Sequence, residues 1–412
     1  MRSAYGFKIP QEDATLTHVG ASTPMGEVLR RYWQPIALSE ELTDLPRRVR
    51  ALGEDLVAFR DKAGRAGVLH LHCAHRGTSL EWGRIEQEGI RCCYHGWLYR
   101  VDGKCIEMPC EQPDFTERMD IWQPGYPVHE YGGLVFIYMG PPEKQPLFPM
   151  YDIYDTRKRQ DVVIRGMRIY DDCGPGHVRD CNWLQHYENT IDSYHLLILH
   201  QMISGDQFQS VMMVGTRPDI GFEPTSLGAR HRFTRNLPNG HRFTRYVELV
   251  LPNINIIPNI HERGDRLIER SMPTEMTWIL PVDDEHLCSF SLVAWPLKGG
   301  VPDPNWRPGI DTRIPNRPGW VRDRPYEERQ RKPDDREAQE GQRTIAVHAL
   351  ENLALSDTGV VMLRKLLREE VRRVANDEDP RNIVRDPAKN IAIETNAWDA
   401  VTLSPGTRDA AE

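Results

Sequence analysis

Two pairs of cysteine and histidine lie close together in the first quarter of the chain. Cys73 and His75 are separated by one residue, and Cys92 and His95 follow after sixteen further residues. Thiolate and imidazole are ligands for zinc as well as for iron. Structural zinc sites usually group like ligands in C-x2-C or H-x3-5-H pairs, whereas each pair here is mixed. Mixed pairs allow two cysteines to hold one iron, and two histidines the other iron, of a two-iron cluster.

A two-iron cluster with this mixed ligation is a Rieske centre. Its neutral imidazoles raise the reduction potential above that of an all-cysteine cluster, which suits electron delivery to an oxygen-handling partner. Cys93 could replace Cys92 in the second pair by spacing alone. The pattern C-x-H...C-x2-H followed by Gly96-Trp97 resembles that of Rieske domains, and this resemblance favours Cys92.

A second group of candidate ligands lies between Asn182 and His200. On a helix, Glu188, Asp192 and His195 would fall at i, i+4 and i+7 and share one face. His200 follows His195 by five residues, so the two imidazoles can meet at one ion only if the helix ends, kinks or bulges there. Such residues are commonly at the surface of a helix, but these interrupt an apolar stretch where unpaired burial is costly. Two imidazoles and a carboxylate on one face of an iron leave positions open for dioxygen and substrate.

Together the two motifs resemble the catalytic α subunit of Rieske non-haem iron ring-hydroxylating oxygenases. The second motif reads N-W-x4-E-N-x2-D-x2-H-x4-H, and the segments 16–20 and 25–35 resemble the phthalate dioxygenase-like branch, which includes aromatic O-demethylases. The resemblance implies that a 2Fe-2S Rieske cluster is held by Cys73, His75, Cys92 and His95. It also implies a mononuclear Fe(II) on His195 and His200, with Asp192 bridging His195 to His95 of a neighbouring subunit.

The third iron ligand in this family is an aspartate far downstream, at the start of a long C-terminal helix that carries glutamines. The segment from Pro333 to Gln342 fits that description, and Asp335 is the preferred candidate. Asp334 and Asp357 remain alternatives.

The resemblance also implies partners and a reaction. We expect a homotrimer or a dimer of trimers, supplied with electrons by a separate flavin- and NAD(P)H-dependent reductase or ferredoxin. The expected reaction uses O2 to oxidise an aromatic substrate, with O-demethylation of a lignin-type methoxyaromatic acid preferred over phthalate-type cis-dihydroxylation. Arginine is the natural bidentate partner of a carboxylate, and the candidates in the strands expected to wall the pocket are Arg230, Arg232, Arg235, Arg242 and Arg245.

Two alternatives belong to other functional classes. The first is a Rieske electron-transfer protein without oxygen chemistry, and the second is a zinc-stabilised scaffold. An electron carrier would be a short chain without the second histidine pair. The length of the chain and the presence of that pair therefore favour the enzyme.

The elements around these residues indicate an α+β fold. Short apolar runs separated by turns from Arg48 to Gly140, with a hairpin turn at Asp102-Gly103, predict a small antiparallel β Rieske domain whose hairpin tips carry the ligand loops. The larger catalytic domain should combine helices with an antiparallel sheet, in a START-like helix-grip arrangement. Its predicted elements are a helix over 182–198, strands over 229–260 with a turn at Asn239-Gly240, one or two helices over 344–375 and an extended loop over 301–333. The expected divisions are an N-terminal helical segment (1–45), the Rieske domain (46–145) and the catalytic domain (146–412).

The composition of the 412-residue chain is globular, with 39% hydrophobic residues, 27% charged residues and a formal net charge of -8. This balance argues against a nucleic-acid partner, because phosphate binding depends on clustered Lys and Arg. No run approaches the roughly twenty apolar residues that cross a bilayer, and the polar start has no signal-peptide core. We therefore expect a cytoplasmic protein with no membrane partner. Cysteines outside the cluster should be reduced thiols, namely Cys93, Cys105, Cys110, Cys173, Cys181 and Cys288.

Overall fold

The computed structural model describes residues 4–112, 114–157, 159–168, 178–205, 217–258, 264–306 and 324–405. No disulfide joins the cysteines within these ranges, and Cys173 lies outside them. None of the helices in this part of the chain is long and apolar enough to span a membrane. The helices are α1 (Ala14–Thr17), α2 (Pro24–Leu29), α3 (Phe115–Met119), α4 (Trp183–Ile191), α5 (His195–Leu197), a π-helical turn (Ile198–Ile203), α6 (Tyr326–Arg331), α7 (Asp335–Glu340) and α8 (Thr358–Ala375).

The first part of the chain forms three small antiparallel sheets, in the orders β1-β11-β10, β2-β3-β4-β9 and β5-β6-β7-β8. Their strands are β1 (Trp33–Leu38), β2 (Arg47–Ala51), β3 (Glu54–Arg60), β4 (Ala66–His70), β5 (Arg84–Glu86), β6 (Gly89–Arg91), β7 (Leu98–Tyr99), β8 (Cys105–Glu107), β9 (Gly125–Tyr126), β10 (Val128–Tyr131) and β11 (Leu134–Tyr138). The turn predicted at Asp102-Gly103 joins β7 to β8, with Gly103 at φ 92. This arrangement confirms the predicted antiparallel β region.

The two four-stranded sheets share a compact core. Val57 and Phe59 of β3 belong to the same cluster of buried side chains as Ile90 and Tyr99 of the sheet β5-β6-β7-β8. The thiols of Cys73 and Cys92 are part of this cluster. Fully burying one such aliphatic or aromatic side chain contributes about 1.5–3 kcal/mol. Packing between the sheets therefore fixes the ends of the strands from which both ligand loops emerge.

The second part of the chain is built on a ten-stranded antiparallel sheet. The central order is β12-β19-β18-β16-β15-β14-β13, with β17, β20 and β21 attached beside it. The strands are β12 (Val162–Arg168), β13 (Asp219–Pro224), β14 (Gly228–Asn236), β15 (His241–Val250), β16 (Ile254–Ile256), β17 (Ile268–Ser271), β18 (Glu275–Pro281), β19 (Leu287–Lys298), β20 (Val301–Pro302) and β21 (Trp398–Leu403). Gly240, at φ 80, lies in the turn between β14 and β15, where the sequence predicted a turn at Asn239-Gly240.

Helix α4 connects this sheet to α8. Its Tyr187 hydroxyl donates to the carbonyl of Val250 on β15 at 3.0 Å. On the other side, Glu188 accepts two hydrogen bonds from Arg364 of α8, at 2.5 and 2.7 Å. Sheet and helices together form the predicted α+β arrangement, and α4 is held firmly just before the candidate iron ligands.

Several helical predictions need correction. The helix predicted over 182–198 is interrupted, because α4 ends at Ile191 and Asp192 caps it with an extended ψ of 98. The helix that begins at Asp335 is the short α7 instead of a long one, and the helix predicted over 344–375 is confined to α8. The loop predicted over 301–333 contains β20 and α6, while its residues 307–323 lie outside the described part.

Two candidate metal centres

The two loops that carry the cysteine-histidine pairs have the same backbone hydrogen bonds. In the loop Cys73–Thr78, the amide of the first residue donates to the carbonyl of the last at 2.9 Å, and the amide of Gly77 donates to the first carbonyl at 2.8 Å. The loop Cys92–Trp97 repeats both bonds, at 2.9 and 3.1 Å, with Gly96 in the place of Gly77. Both glycines are left-handed, at φ 75 and 76, a conformation that other residues adopt only under strain.

Cys92 therefore has the same position in the second loop that Cys73 has in the first. Each of the two is 3% exposed, within the core between the sheets. Cys93, the other candidate in the sequence, is exposed. The geometry therefore supports the Cys73 and Cys92 pair.

The imidazoles of the two loops come together beside the thiols. The ring centroids of His75 and His95 are 4.5 Å apart, and both residues are half-buried. His75 also stacks on the indole of Trp97, with centroids 4.4 Å apart and planes 5° from parallel. Burial and the neighbouring His95 lower the pKa of His75, which favours the neutral form that a metal requires.

The thiols lie in surroundings that fit a cationic cluster. Burial raises the pKa of the Cys73 thiol and nearby Cys92 raises it further, although a hydrogen bond from Tyr99 opposes the shift. The hydroxyl of Tyr99 lies 3.1 Å from Cys73 Sγ. Two neighbouring buried thiolates repel each other, so a bound cation is needed to stabilise both. The donor set of two buried sulfurs and two adjacent imidazoles thus fits a Rieske cluster.

Gln123 holds the first loop in place. Its Oε1 accepts a hydrogen bond from the amide of Ala74 at 2.6 Å, and its Nε2 donates to the carbonyls of His70 and His72 at 2.8 and 2.9 Å. His70 is the last residue of β4, and His72 lies between that strand and the loop. Gln123 itself was not predicted, because a single glutamine in a connecting segment carries no motif.

Arg91 holds the second loop in the same way. One guanidinium nitrogen donates to the carbonyl of Gly96 at 2.6 Å, while the others pair with Glu86 and Glu107. Hydrogen bonds from Arg91, together with those from Arg84, lower the pKa of Glu86 to about 2. Sequence reasoning missed this contact as well, since Arg91 resembles any charged residue next to a strand.

The second centre brings together His195, His200 and Asp335. Their candidate ligand atoms all lie within 4.8 Å of one another. Asp335 Oδ1 is 3.5 Å from His195 Nε2 and 3.2 Å from His200 Nε2. The three groups supply the two imidazoles and one carboxylate of a facial iron site.

A π-helical turn makes this convergence possible. His200 lies within Ile198–Ile203, and the amide of Ser204 donates to the carbonyl of Leu199, five residues earlier, at 3.0 Å. Hydrogen bonds of the i to i+5 type widen the helix, so residues five apart come to lie near one face. The turn therefore supplies the bulge that the spacing between His195 and His200 requires.

The alternative aspartates have other roles. Asp334 is the N-cap of α7, where its side chain accepts a hydrogen bond from the amide of Arg336 at 2.8 Å. Asp357 accepts from the amide of Ala354 at 2.7 Å, in the turn before α8. Neither belongs to the group that the structure forms around His195, so Asp335 is the carboxylate in place.

Electrostatics favour an ionised Asp335. Burial alone would raise its pKa, but the hydrogen bond from His200 and the charges of His195 and His200 outweigh burial and hold the pKa of Asp335 well below its usual range. Asn189 also donates to Asp335 Oδ1, at 3.2 Å. Asn189 was not predicted as part of the site, although it lies within the second motif.

Asp192 lies beside the candidate iron ligands. Its Oδ1 accepts from the amide of Tyr194 at 2.9 Å, and its Oδ2 lies 3.8 Å from His195 Nδ1. That nitrogen is buried and has no hydrogen-bond partner among the described residues. The side chain of Asp192 is 35% exposed. Glu188, expected on the same face, instead pairs with Arg364.

Helix α7 is tied to α4 behind the site. Gln185 donates to the carbonyl of Gln339 at 2.8 Å, and Gln339 Oε1 accepts from Arg179 at 2.5 Å and lies 3.0 Å from His186 Nδ1. Burial and nearby Arg179 lower the pKa of His186 to about 3, so its ring is neutral. These buried contacts determine where the helix bearing Asp335 stands relative to the histidines.

A cavity of about 510 Å³ runs along the segment that carries the histidines. Three of the arginines expected near the pocket form ion pairs, Arg230 with Glu223, Arg232 with Asp219 and Arg245 with Asp399. Arg242 is half-buried on β15. Arg235 is buried and lines the cavity, whose full lining is Tyr194, Leu197, Ile198, Gln201, Met202, Arg217 and Arg235.

Comparison with known proteins agrees with both centres. The Rieske 2Fe-2S domain family matches residues 32–131. The chain is 39% identical to the phenoxybenzoate dioxygenase α subunit of Ectopseudomonas oleovorans, over 100% of this chain and 97% of that protein. The chain belongs to the Rieske oxygenases. It is also 42% identical to the tert-butanol monooxygenase / tert-amyl alcohol desaturase oxygenase subunit of Aquincola tertiaricarbonis (86% and 76% covered) and 32% identical to the 5,5'-dehydrodivanillate O-demethylase oxygenase subunit of a Sphingobium species (93% and 85%).

Membership of the Rieske oxygenases confirms the predicted class and cofactors. The protein is a terminal oxygenase subunit, an oxidoreductase that incorporates oxygen from O2. Its cofactors are a 2Fe-2S Rieske cluster and a mononuclear iron, and Rieske oxygenases work with a separate ferredoxin or reductase. The electron-carrier and zinc-scaffold alternatives are therefore set aside.

Proposed function

We propose that this oxygenase oxidises an aromatic carboxylate, and that its preferred reaction is O-demethylation of a methoxyaromatic acid. The observation that carries the substrate class is the lining of the cavity along the histidine segment, which combines the apolar Leu197, Ile198 and Met202 with Arg217 and Arg235. A guanidinium matches a carboxylate in geometry and charge.

The alternation of β14 supports this orientation of the substrate. His231, Phe233 and Arg235 lie on one face of the strand, the face over which the turn after α4 packs through His231. Phe233 and Phe243 form an apolar cluster with Val401, and Leu196, adjacent to His195, packs against that cluster. This apolar cluster supports β14, and an aromatic ring against Leu197 and Ile198 in the cavity would direct its carboxylate towards Arg235.

We assign the metal ligands from the geometry of the two centres. His195, His200 and Asp335 would hold the iron, and the cluster would be held by Cys73, His75, Cys92 and His95. When bound, the cluster supplies single electrons and the iron is where O2 is activated. Asn189 positions the carboxylate of Asp335, and Gln123 and Arg91 position the cluster loops. The Rieske and catalytic divisions at 46–145 and 146–412 correspond to these two tasks.

Asp192 would connect the centres of neighbouring subunits. Its partly exposed carboxylate lies next to His195, and His95 is half-buried at the surface of the Rieske region. In a homotrimer, or a dimer of trimers, Asp192 of one subunit could bind His195 of its own chain and a cluster histidine of the next. We further propose that electrons come from NAD(P)H through a flavin-containing reductase, and that the protein works in the cytoplasm.

The test uses purified protein reduced with dithionite and then mixed with O2 and one substrate at a time. The substrates are a methoxybenzoate, its methyl ester, phthalate, a phenoxybenzoate and tert-butanol. Formaldehyde from the methoxybenzoate, with little from the ester, would support O-demethylation of a carboxylate. If phthalate gives a diol, the assigned reaction is ring dihydroxylation and not demethylation. If tert-butanol is the only substrate that is turned over, the aromatic assignment is overturned.

The arginine assignment has its own test in the same assay. Arg235→Gln should raise the KM for the acid at least tenfold and leave the KM for the ester unchanged, because only the acid carries the charge. Arg232→Gln is the matched control on the same strand, since Arg232 pairs with Asp219. Equal KM values for the acid in both variants would exclude Arg235 as the carboxylate partner.

A further inference from the structure

A buried serine and a buried histidine lie beneath the turn that joins Asp192 to His195. Ser193 is 0% exposed and His231, on β14, is 3% exposed. The hydroxyl of Ser193 is hydrogen-bonded to His231 Nδ1. The same nitrogen lies 3.2 Å from the carbonyl of Ile191, the last residue of α4. His231 thus contacts both sides of Asp192 in the sequence.

The protonation of His231 follows from these partners. A carbonyl oxygen can only accept, so the hydrogen bond to Ile191 requires the proton to be on Nδ1. Burial lowers the pKa of His231 to about 3, and the ring is neutral near neutral pH. The imidazole therefore acts as a fixed donor to the end of α4, where helix carbonyls lack partners within the helix.

Two sets of hydrogen bonds therefore fix the turn from Asp192 to His195. From within, Asp192 Oδ1 accepts from the amide of Tyr194 at 2.9 Å. From below, β14 holds Ile191 and Ser193 through His231. Between these restraints, Asp192 Oδ2 lies 3.8 Å from His195 Nδ1, slightly beyond hydrogen-bond distance. A small displacement of the turn would therefore determine whether Asp192 and His195 form a hydrogen bond.

We propose that His231, acting through Ser193 and the carbonyl of Ile191, is the positioning residue that sets the contact between Asp192 and His195. The inference rests on the proposed role of Asp192 between the two metal centres. His231 touches neither metal nor substrate in this arrangement. Its effect is on how fast an electron leaves the cluster, and not on whether cluster or iron binds.

The experiment measures oxidation of the reduced cluster in the full-length protein after mixing with O2 and the best substrate of the panel. His231→Leu removes the donor, and we expect the rate to fall at least tenfold with normal iron content, a normal cluster EPR spectrum and an unchanged KM. His231→Asn places an amide N–H near the position of Nδ1 and should recover most of the rate. The matched control is His241→Leu. His241 is the first residue of β15 and also donates to a backbone carbonyl, that of Gly264 at 2.7 Å, but it does not contact the turn that carries Asp192.

A double variant separates this proposal from the role of Asp192. If His231 acts through Asp192, combining His231→Leu with Asp192→Ala should be no slower than Asp192→Ala alone. Independent, multiplying losses would overturn the proposal. A normal rate in Asp192→Ala beside a slow His231→Leu would also overturn it, and would at the same time refute the proposed relay while leaving the substrate assignment intact.

Two further outcomes are decisive. Loss of iron from His231→Leu, with a normal rate per bound iron, would show that the histidine supports the metal site instead of the contact. If His231→Leu does not fold, Ser193→Ala replaces it, because this change removes one hydrogen bond and no ring. A rate in Ser193→Ala equal to that of the natural protein would then overturn the proposal.

Discussion

The two metal centres of this oxygenase are held in different ways. The proposed cluster ligands come from two short loops of the same construction, each closed by its own backbone hydrogen bonds and supported by one side chain, Gln123 or Arg91. The proposed iron ligands come from α5, the π-helical turn and α7, and their approach depends on side-chain contacts between α4, α7 and β14. The cluster site is therefore a local structure, whereas the iron site is a product of tertiary packing.

The largest effect should come from removing the carboxylate of the iron site. We expect Asp335→Ala to bind no iron and to lose turnover completely, while the visible and EPR spectra of the cluster stay normal. Metal analysis and spectroscopy check both halves of this expectation. The matched control is Asp334→Asn, because asparagine also serves as an N-cap and should retain iron. Loss of the cluster together with iron in Asp335→Ala would show that the centres are not independent.

A smaller effect is expected from Asp192. Asp192→Ala should keep both metals and lower turnover by about 100-fold, because partners that orient a metal-bound histidine typically contribute 10- to 100-fold. Stopped-flow oxidation of the cluster should show the same loss. Full activity with intact metals would refute the role of Asp192. Glu188 provides no comparable function, since its carboxylate is engaged with Arg364.

For the cluster site, Gln123→Ala tests whether the hydrogen bonds of this one side chain determine the stability of the Rieske region. The change removes three hydrogen bonds to the first loop, which at about 1 kcal/mol each predicts a loss of about 3 kcal/mol. Chemical denaturation followed by the cluster absorbance should show an earlier transition. Gln145→Ala, at an exposed position, is the control and should leave the midpoint unchanged. Loss of iron before the cluster in Gln123→Ala would contradict the local character of the site.

The smallest effect should be a change of potential without a change of structure. The hydroxyl of Tyr99 lies 3.1 Å from Cys73 Sγ and would donate to the thiolate form, and a hydrogen bond to sulfur favours the more negative, reduced cluster. Tyr99→Phe should therefore lower the midpoint potential by about 40 mV, the equivalent of about 1 kcal/mol for one electron. Redox titration followed by EPR measures the shift. An unchanged potential would show that Tyr99 only fills space.

The same contrast explains what the sequence could predict. Cys73, His75, Cys92 and His95 could be proposed as cluster ligands from the sequence because all four lie in two short loops, and the strands next to these loops are indicated by the same stretch of sequence. The bulge after His195 was also predictable, since a five-residue spacing on a regular helix cannot place two imidazoles at one ion.

The remaining features depend on tertiary contacts. Asp334 and Asp335 differ by one position, and only the observed start of α7 shows which of them caps the helix. The end of α4 at Ile191 has no proline or glycine to signal it; the partners of its turn are on β14, far away in the sequence. For the same reason Asn189, His231 and Gln123 could not be recognised from their own segments.

The flat stacking of His75 on Trp97 bears on the speed of electron exchange. An imidazole held parallel to an indole at 4.4 Å has little freedom to rotate when the charge of the cluster changes. Electron transfer is faster when fewer nuclei must move between the oxidised and reduced states. The indole should thus keep the reorganisation energy of the cluster low, and the exchange rate would then depend mainly on the distance to the acceptor.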